Sequence, residues 1–204
     1  MPSLDAELLN NANRHLCDCD DVLAKVIRTV GPCTLNRQTN RYRNLLRAIV
    51  GQQISGAAAK AVFRKLEAAV HTEALNPEAV AQLTDDELRA AGLSGQKIRY
   101  VRDLTDHVLD RRLNLRSLHL KSDEEVIDLL IDVKGIGLWT AHMFLMFSLG
   151  RPDVFPWGDL GIQVAIRNLY GFESLPSKEV CLEIARPWSP YATIASWYLW
   201  RTVD

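Results

Sequence analysis

The sequence predicts an all-α protein, and three observations carry that reading. Apolar residues recur at helical spacing, as in Arg41 to Val50 and Ser55 to Val70, and strand-type alternation is nearly absent. Two capping boxes, Thr84 with Glu87 and Ser122 with Glu125, introduce helical segments. Glycine and proline fall between the apolar runs as turn signals.

In chain order, the first two helices break at "GQQIS". Thr84 opens a short helix that stops near Gly92, and Gln96 to Arg111 starts another. Ser122 opens "EEVIDLLID", whose apolar face ends at the turn Gly135-Ile136-Gly137. Leu138 to Leu149 follows, then the Gly/Pro-rich loop "GRPDVFPWG". A helix after Asp159 runs through Leu169 and stops at Gly171, and Ser177 to Ala185 and Ala192 to Arg201 complete a set of roughly ten. Two stretches, "ELRAAGLSGQKIRYV" and "DLLIDVKGIGLWTAH", use the same helix, glycine turn, helix chemistry.

A chain of 204 residues fits one large domain or two small lobes and can bury a core. The formal net charge of -1 excludes a basic body, so nucleic-acid contact must come from a local patch or from backbone amides. Cys17, Cys19, Cys33 and Cys181 lack a disulfide framework and read as reduced thiols, which predicts an intracellular protein. No run reaches the length of a membrane span.

The Gly135-Ile136-Gly137 turn feeds a helix N-terminus, where unpaired amides and the helix dipole favour an anion such as phosphate. Lys134 adds a full charge beside it, and such a turn supplies DNA affinity without a basic surface. A dinucleotide loop fits poorly: no strand precedes the turn, and Thr140 stands where a third glycine is needed. A plain helix corner remains the alternative. Asp159, read on chemistry alone, is an N-cap, and Asp153 caps or turns its loop.

At these residues the chain resembles a known family. "LIDVKGIGLWTAHMF" followed by "DVFPWGDLGI" is similar to the helix-hairpin-helix DNA glycosylase superfamily. "LLRAIVGQQISGAAAKAVFRKL", "LSGQKIRYVRDL" and "WSPYATIASWYLWR" resemble its 3-methyladenine DNA glycosylase II branch. The resemblance implies a two-lobed helical fold with DNA in an interlobe cleft. Residues 1–204 then form one such unit, with a central helical lobe over roughly 41–115 and a hairpin and catalytic lobe from 1–40 plus 116–204.

The resemblance also implies roles. Asp159 falls at the catalytic aspartate, whose carboxylate stabilises the sugar cation formed as the N-glycosidic bond breaks. One of its oxygens is expected to cap the helix while the other faces the sugar. Gln53 falls at the wedge that fills the stack behind a flipped nucleotide, with Gln52 and Ile54 beside it. Lys134, Gly135, Gly137 and Thr140 fall at the DNA-gripping hairpin. Trp139, Met143, Trp157 and Trp200 fall in or beside the base pocket, where aromatic faces suit cationic alkylpurines. Trp188, Trp197 and Tyr198 read as core. Gly158 departs from relatives that carry a second acid there.

Relatives that nick the strand carry a lysine where this chain has Trp139. The implied activity is therefore a monofunctional glycosylase of the EC 3.2.2.21 type: it releases 3-methyladenine and 7-methylguanine type bases and leaves an abasic site, without lyase chemistry. The rivals are a glycosylase for deaminated or oxidised bases and a binding protein without catalysis. No cofactor is required and no iron–sulfur cluster is expected, although the carbonyls of Ile131, Val133 and Ile136 are implied ligands for a structural Na+ or K+. The expected partner is double-stranded DNA carrying alkylated bases, and a monomer is expected. Localisation follows the DNA: cytoplasm and nucleoid in a bacterium, nucleus in a eukaryote.

Overall fold

Among the described residues of a computed structural model, 4–70 and 75–203, the chain is helical throughout and has no strand. It divides into two compact units, residues 38–144 and residues 1–37 with 145–204. The sequence reading drew this line elsewhere, placing residues 116–144 with the terminal segments. The structure moves them to the central unit because the helix after the glycine turn packs against the helix that begins at Arg41, and the helix before the turn packs against it in turn.

The central unit holds α3 (Arg41–Gly51), α4 (Gly56–Ala69), α5 (Pro77–Gln82), α6 (Asp85–Ala90), α7 (Gly95–Leu109), α8 (Asp123–Ile131) and α9 (Leu138–Phe144). The apolar stripe of α3, Tyr42, Leu45, Leu46, Ile49 and Val50, is buried at the spacing of one helix face. α7 answers with Ile98, Val101 and Leu104. Between them Tyr42 Oη meets Thr105 Oγ1 at 2.8 Å, and this buried polar pair is satisfied. Both capping boxes form as expected, at Thr84 with Glu87 and at Ser122 with Glu125. α5 was missed: its six residues are too few for a periodic signal, although Asn76 as N-cap and Pro77 behind it mark its start.

The two glycine turns are indeed alike. Gly92 (φ +104°) and Gly135 (φ +86°) take the left-handed conformation that side chains resist. Each is followed by a buried aliphatic residue, Leu93 or Ile136, and then by a helix start.

The second unit is built around α12 (Ala192–Trp200), buried from Ala192 through Leu199. Around it lie α1 (Ala6–Cys19), α2 (Asp21–Val30), α10 (Leu160–Tyr170) and α11 (Lys178–Ala185). Trp188, Trp197 and Tyr198 are core residues here, as expected. α1 and α2 escaped the sequence reading, although Asp5 and Asp20 are ordinary N-caps and both helices are amphipathic. α9 runs on into a π turn, Leu145–Leu149, so the single helix expected over 138–149 changes pitch partway. No helix among the described residues is long and apolar enough to cross a membrane.

Asp20 is the polar hub of this unit. Its Oδ1 accepts the Val22 and Leu23 amides, each at 2.9 Å. Its Oδ2 accepts Tyr170 Oη at 2.5 Å and Trp188 Nε1 at 2.8 Å. Burial, and then the hydrogen bond to Asp20, push the Tyr170 phenol well above its ordinary range. Asp20→Ala leaves two aromatic donors and a helix start without their acceptor. We expect a loss of about 2–4 kcal/mol in urea unfolding.

Candidate active site and nucleic-acid interface

The hairpin is set by local backbone bonds. α8 closes with the Val133 amide on the Leu130 carbonyl (3.2 Å), and the turn closes with the Ile136 amide on the Val133 carbonyl (3.0 Å). The Ala141 amide then reaches the Gly137 carbonyl at 3.0 Å and opens the α9 ladder, so the amides of the first turn precede it. Val133 and Ile136 are buried and anchor the turn, while Lys134, Gly137 and Leu138 are exposed.

The two glycines are there for different reasons. Gly135 has φ +86°, and a Cβ on it would lie 2.2 Å from Tyr100 Cδ2. The fold itself demands that glycine. A Cβ on Gly137 would meet nothing within 4 Å, and its φ is not left-handed. Only an approaching ligand would sense a side chain there.

Two side chains from elsewhere in the central unit hold the turn. Gln52 Nε2 donates to the Gly135 carbonyl at 2.7 Å. Asp103 Oδ2 accepts the Lys134 amide at 2.8 Å, and its Oδ1 lies 3.4 Å from Lys134 Nζ. Burial works to raise the Asp103 pKa, but the bonds from Lys134 and the neighbouring His107 and Lys134 charges outweigh it and hold the carboxyl below its usual range.

The sequence reading placed Gln52 and Thr140 among the DNA contacts, and the structure gives each an inward engagement as well. The Gln52 amide is committed inward to the hairpin. Thr140 is 7% exposed, because its position on α9 turns toward the core with Ala141 and Phe144, so only its backbone is left to serve a ligand. Gln53 and Ile54 stand outward at the α3–α4 corner, and Gln53 takes φ +55°, rare for a residue with a side chain. Lys97 Nζ braces that corner by donating to the Val50 carbonyl at 2.7 Å.

Trp139 is 51% exposed, and Met143, one turn on, is half-buried. His142 shares this face at i+3 and was missed by the sequence reading. Its signal was the same helical spacing from Trp139. Burial lowers its imidazole pKa, so the ring is neutral at pH 7.

In the second unit Asp159 is the N-cap of α10. Its Oδ1 accepts the Ile162 amide at 3.0 Å and Trp200 Nε1 at 2.9 Å. Trp200 is held a second time by stacking on Phe147, with centroids 5.9 Å apart. Gly161 makes room for this pair: a Cβ there would fall 3.1 Å from Asp159 Oδ1 and 3.2 Å from Trp200 Cδ1. Trp157 carries Lys178 Nζ 4.6 Å above its ring, so one of its faces already holds a cation. Asp153 is committed elsewhere, accepting Ser189 Oγ at 2.6 Å and the Ala192 amide at 3.0 Å. Those bonds tie it to the start of α12, whereas the sequence reading had it cap or turn its own loop.

The chain is similar in sequence and fold to known proteins. A family model described as the HhH-GPD superfamily of base excision DNA repair proteins matches residues 46–190. DNA-3-methyladenine glycosylase 1 of Schizosaccharomyces pombe is 32% identical over 199 residues, 95% of this chain and 87% of that protein. The crystal structure of a DNA-3-methyladenine glycosidase from Bacillus halodurans superposes with a TM-score of 0.86 at 36% identity, covering 95% of this chain and 89% of the other. A 3-methyladenine DNA glycosylase of S. pombe in complex with abasic DNA superposes with a TM-score of 0.83 at 31% identity, covering 94% and 96%. With a family match across most of its length and relatives aligned nearly end to end, the chain belongs to the HhH-GPD superfamily of base excision DNA repair proteins.

Proposed function

We propose that this protein is a monofunctional DNA glycosylase that releases alkylated purines by hydrolysing their N-glycosidic bond. The observation that carries the reading is the fixed Asp159 carboxylate, whose Oδ1 is held by the Ile162 amide and the Trp200 indole. Those bonds fix the orientation of the carboxylate. As the base leaves, positive charge builds on the sugar, and a positioned carboxylate stabilises that cation and orients the attacking water. N-alkylation at N3 or N7 makes the purine cationic and a good leaving group, so the base needs little acid catalysis.

In this reading Trp200 stands beside the carboxylate in one unit and Trp139 and Met143 are base-pocket residues of the other, and an aromatic face attracts a cationic purine by roughly 0.5–2 kcal/mol. Trp157, with Lys178 over its ring, supports the loop that carries Asp159. Trp139 offers no amine, so water is the nucleophile and an abasic site is the product. Gln53 enters the stack, and its outward position with Ile54 supports that role. Lys134, Gly135 and Gly137 grip a phosphate through the turn's amides and one ammonium.

The carbonyls of Ile131, Val133 and Ile136 are neutral oxygen donors of the kind that suits an alkali cation. Val133 already accepts the Ile136 amide and retains a second lone pair. A cation bound there would add positive charge beside the phosphate.

The test is base release from methylated, uracil-containing and oxidised duplexes in parallel. Release confined to the methylated duplex supports the proposal. Release from either of the others assigns a different substrate, and binding without release assigns a non-catalytic role. Gly137→Asp is expected to weaken binding to every duplex by about tenfold at matched salt, because a carboxylate then faces the phosphate. Unchanged affinity in a titration would remove the hairpin from the interface.

A further inference from the structure

We propose that Asp103 sets the grip of the hairpin on DNA, holding the turn through the Lys134 amide while masking the Lys134 ammonium until a phosphate displaces it. The inference rests on the hairpin reading given above. Asp103 lies on α7 and its side chain is 17% exposed, whereas that of Lys134 is 73% exposed. One carboxylate therefore does two separable things. Oδ2 fixes the backbone at the start of the turn, 2.8 Å from the Lys134 amide. Oδ1 draws the ammonium to 3.4 Å and leaves it reachable from solvent.

Asp103 is itself held in place. His107 is buried, and its Nδ1 lies 2.7 Å from the Asp103 carbonyl and 3.4 Å from its carboxylate. The His107 Nε2 lies between Asp132 Oδ2 at 3.1 Å and Arg112 Nη1 at 2.7 Å. The carboxylate cannot swing away with the lysine, so any phosphate must take the ammonium from a stationary competitor. That exchange moderates binding to undamaged DNA, where a tight grip would slow the search.

The two roles separate by substitution. Asp103→Asn keeps an oxygen for the Lys134 amide and removes the charge. It is expected to bind undamaged duplex about three- to tenfold more tightly, with a log K against log salt slope steeper by up to about one unit, since no cation is taken up by Asp103 when the lysine leaves. Placed on a Lys134→Gln background, the same change should alter affinity by less than about twofold. Asp103→Ala, which removes the acceptor as well, is expected to bind more weakly than Asp103→Asn.

Circular dichroism melts confirm that each variant is folded. A folded Asp103→Asn with wild-type affinity and slope, or an equal effect on the Lys134→Gln background, overturns the masking role. Equal affinity of the Ala and Asn variants overturns the positioning role. A wild-type protein that binds no duplex overturns the hairpin reading, and this inference with it. Loss of base release alone touches neither, because binding is read separately.

Discussion

Asp159→Asn is expected to cut base release by about 10²- to 10⁴-fold, while the fold and the affinity for DNA stay near those of the parent. Asparagine caps helices as well as aspartate does, and its amide oxygen can still accept the Ile162 amide and the Trp200 indole. What disappears, on the proposed mechanism, is the negative charge that stabilises the developing sugar cation, and the half-buried position of Asp159 makes that charge worth more than on an open surface. The measurement is single-turnover release from methylated duplex, with melting and DNA titration as controls. Release within a few-fold of the parent would end the carboxylate mechanism. A collapse in melting temperature would show that Asp159 serves structure instead.

The second large effect falls on stability. Gly135→Ala forces a Cβ to 2.2 Å from the Tyr100 ring, on a backbone at φ +86°. The left-handed conformation costs a non-glycine residue roughly 1–2 kcal/mol, and displacing a packed ring adds about 1–3 kcal/mol. A total of about 2–5 kcal/mol should appear in urea unfolding. Gly137→Ala is the control, because open space surrounds that position and no left-handed angle applies. Its stability should be unchanged or slightly raised. Equal destabilisation of the two variants would contradict the distinction between a glycine required by the fold and one facing a ligand.

Much of this was legible in the sequence because the signals are local. Capping boxes, glycine stops and helical spacing act within a turn or two, so Thr84, Ser122 and Gly171 mark real boundaries. The hairpin and the cap at Asp159 were equally local. The misses have a common cause. Asp103 lies 31 residues from Lys134, and Gln52 lies 83 from Gly135, so no periodic pattern connects them. The burial of the Thr140 side chain was equally hidden, because a position in a turn motif does not say which way a side chain points. Helix phase decides that, and here it turns Thr140 inward. The boundary between the units was misplaced for the same reason, since the packing of α8 and α9 on the central unit is a tertiary choice.

The division of the chain has a consequence for its birth on the ribosome. Residues 38–144 form one uninterrupted stretch, whereas the other unit needs residues 1–37 and 145–204 together. Leu16 and Leu23 belong to an apolar cluster that is not complete until Ile194 and Leu199 have been translated. The amino-terminal helices can cover one another only in part, and must wait for the rest of their core while the middle section emerges and folds ahead of it. For this protein the order of synthesis and the order of assembly are different, and residues made before the middle section find their final place after it.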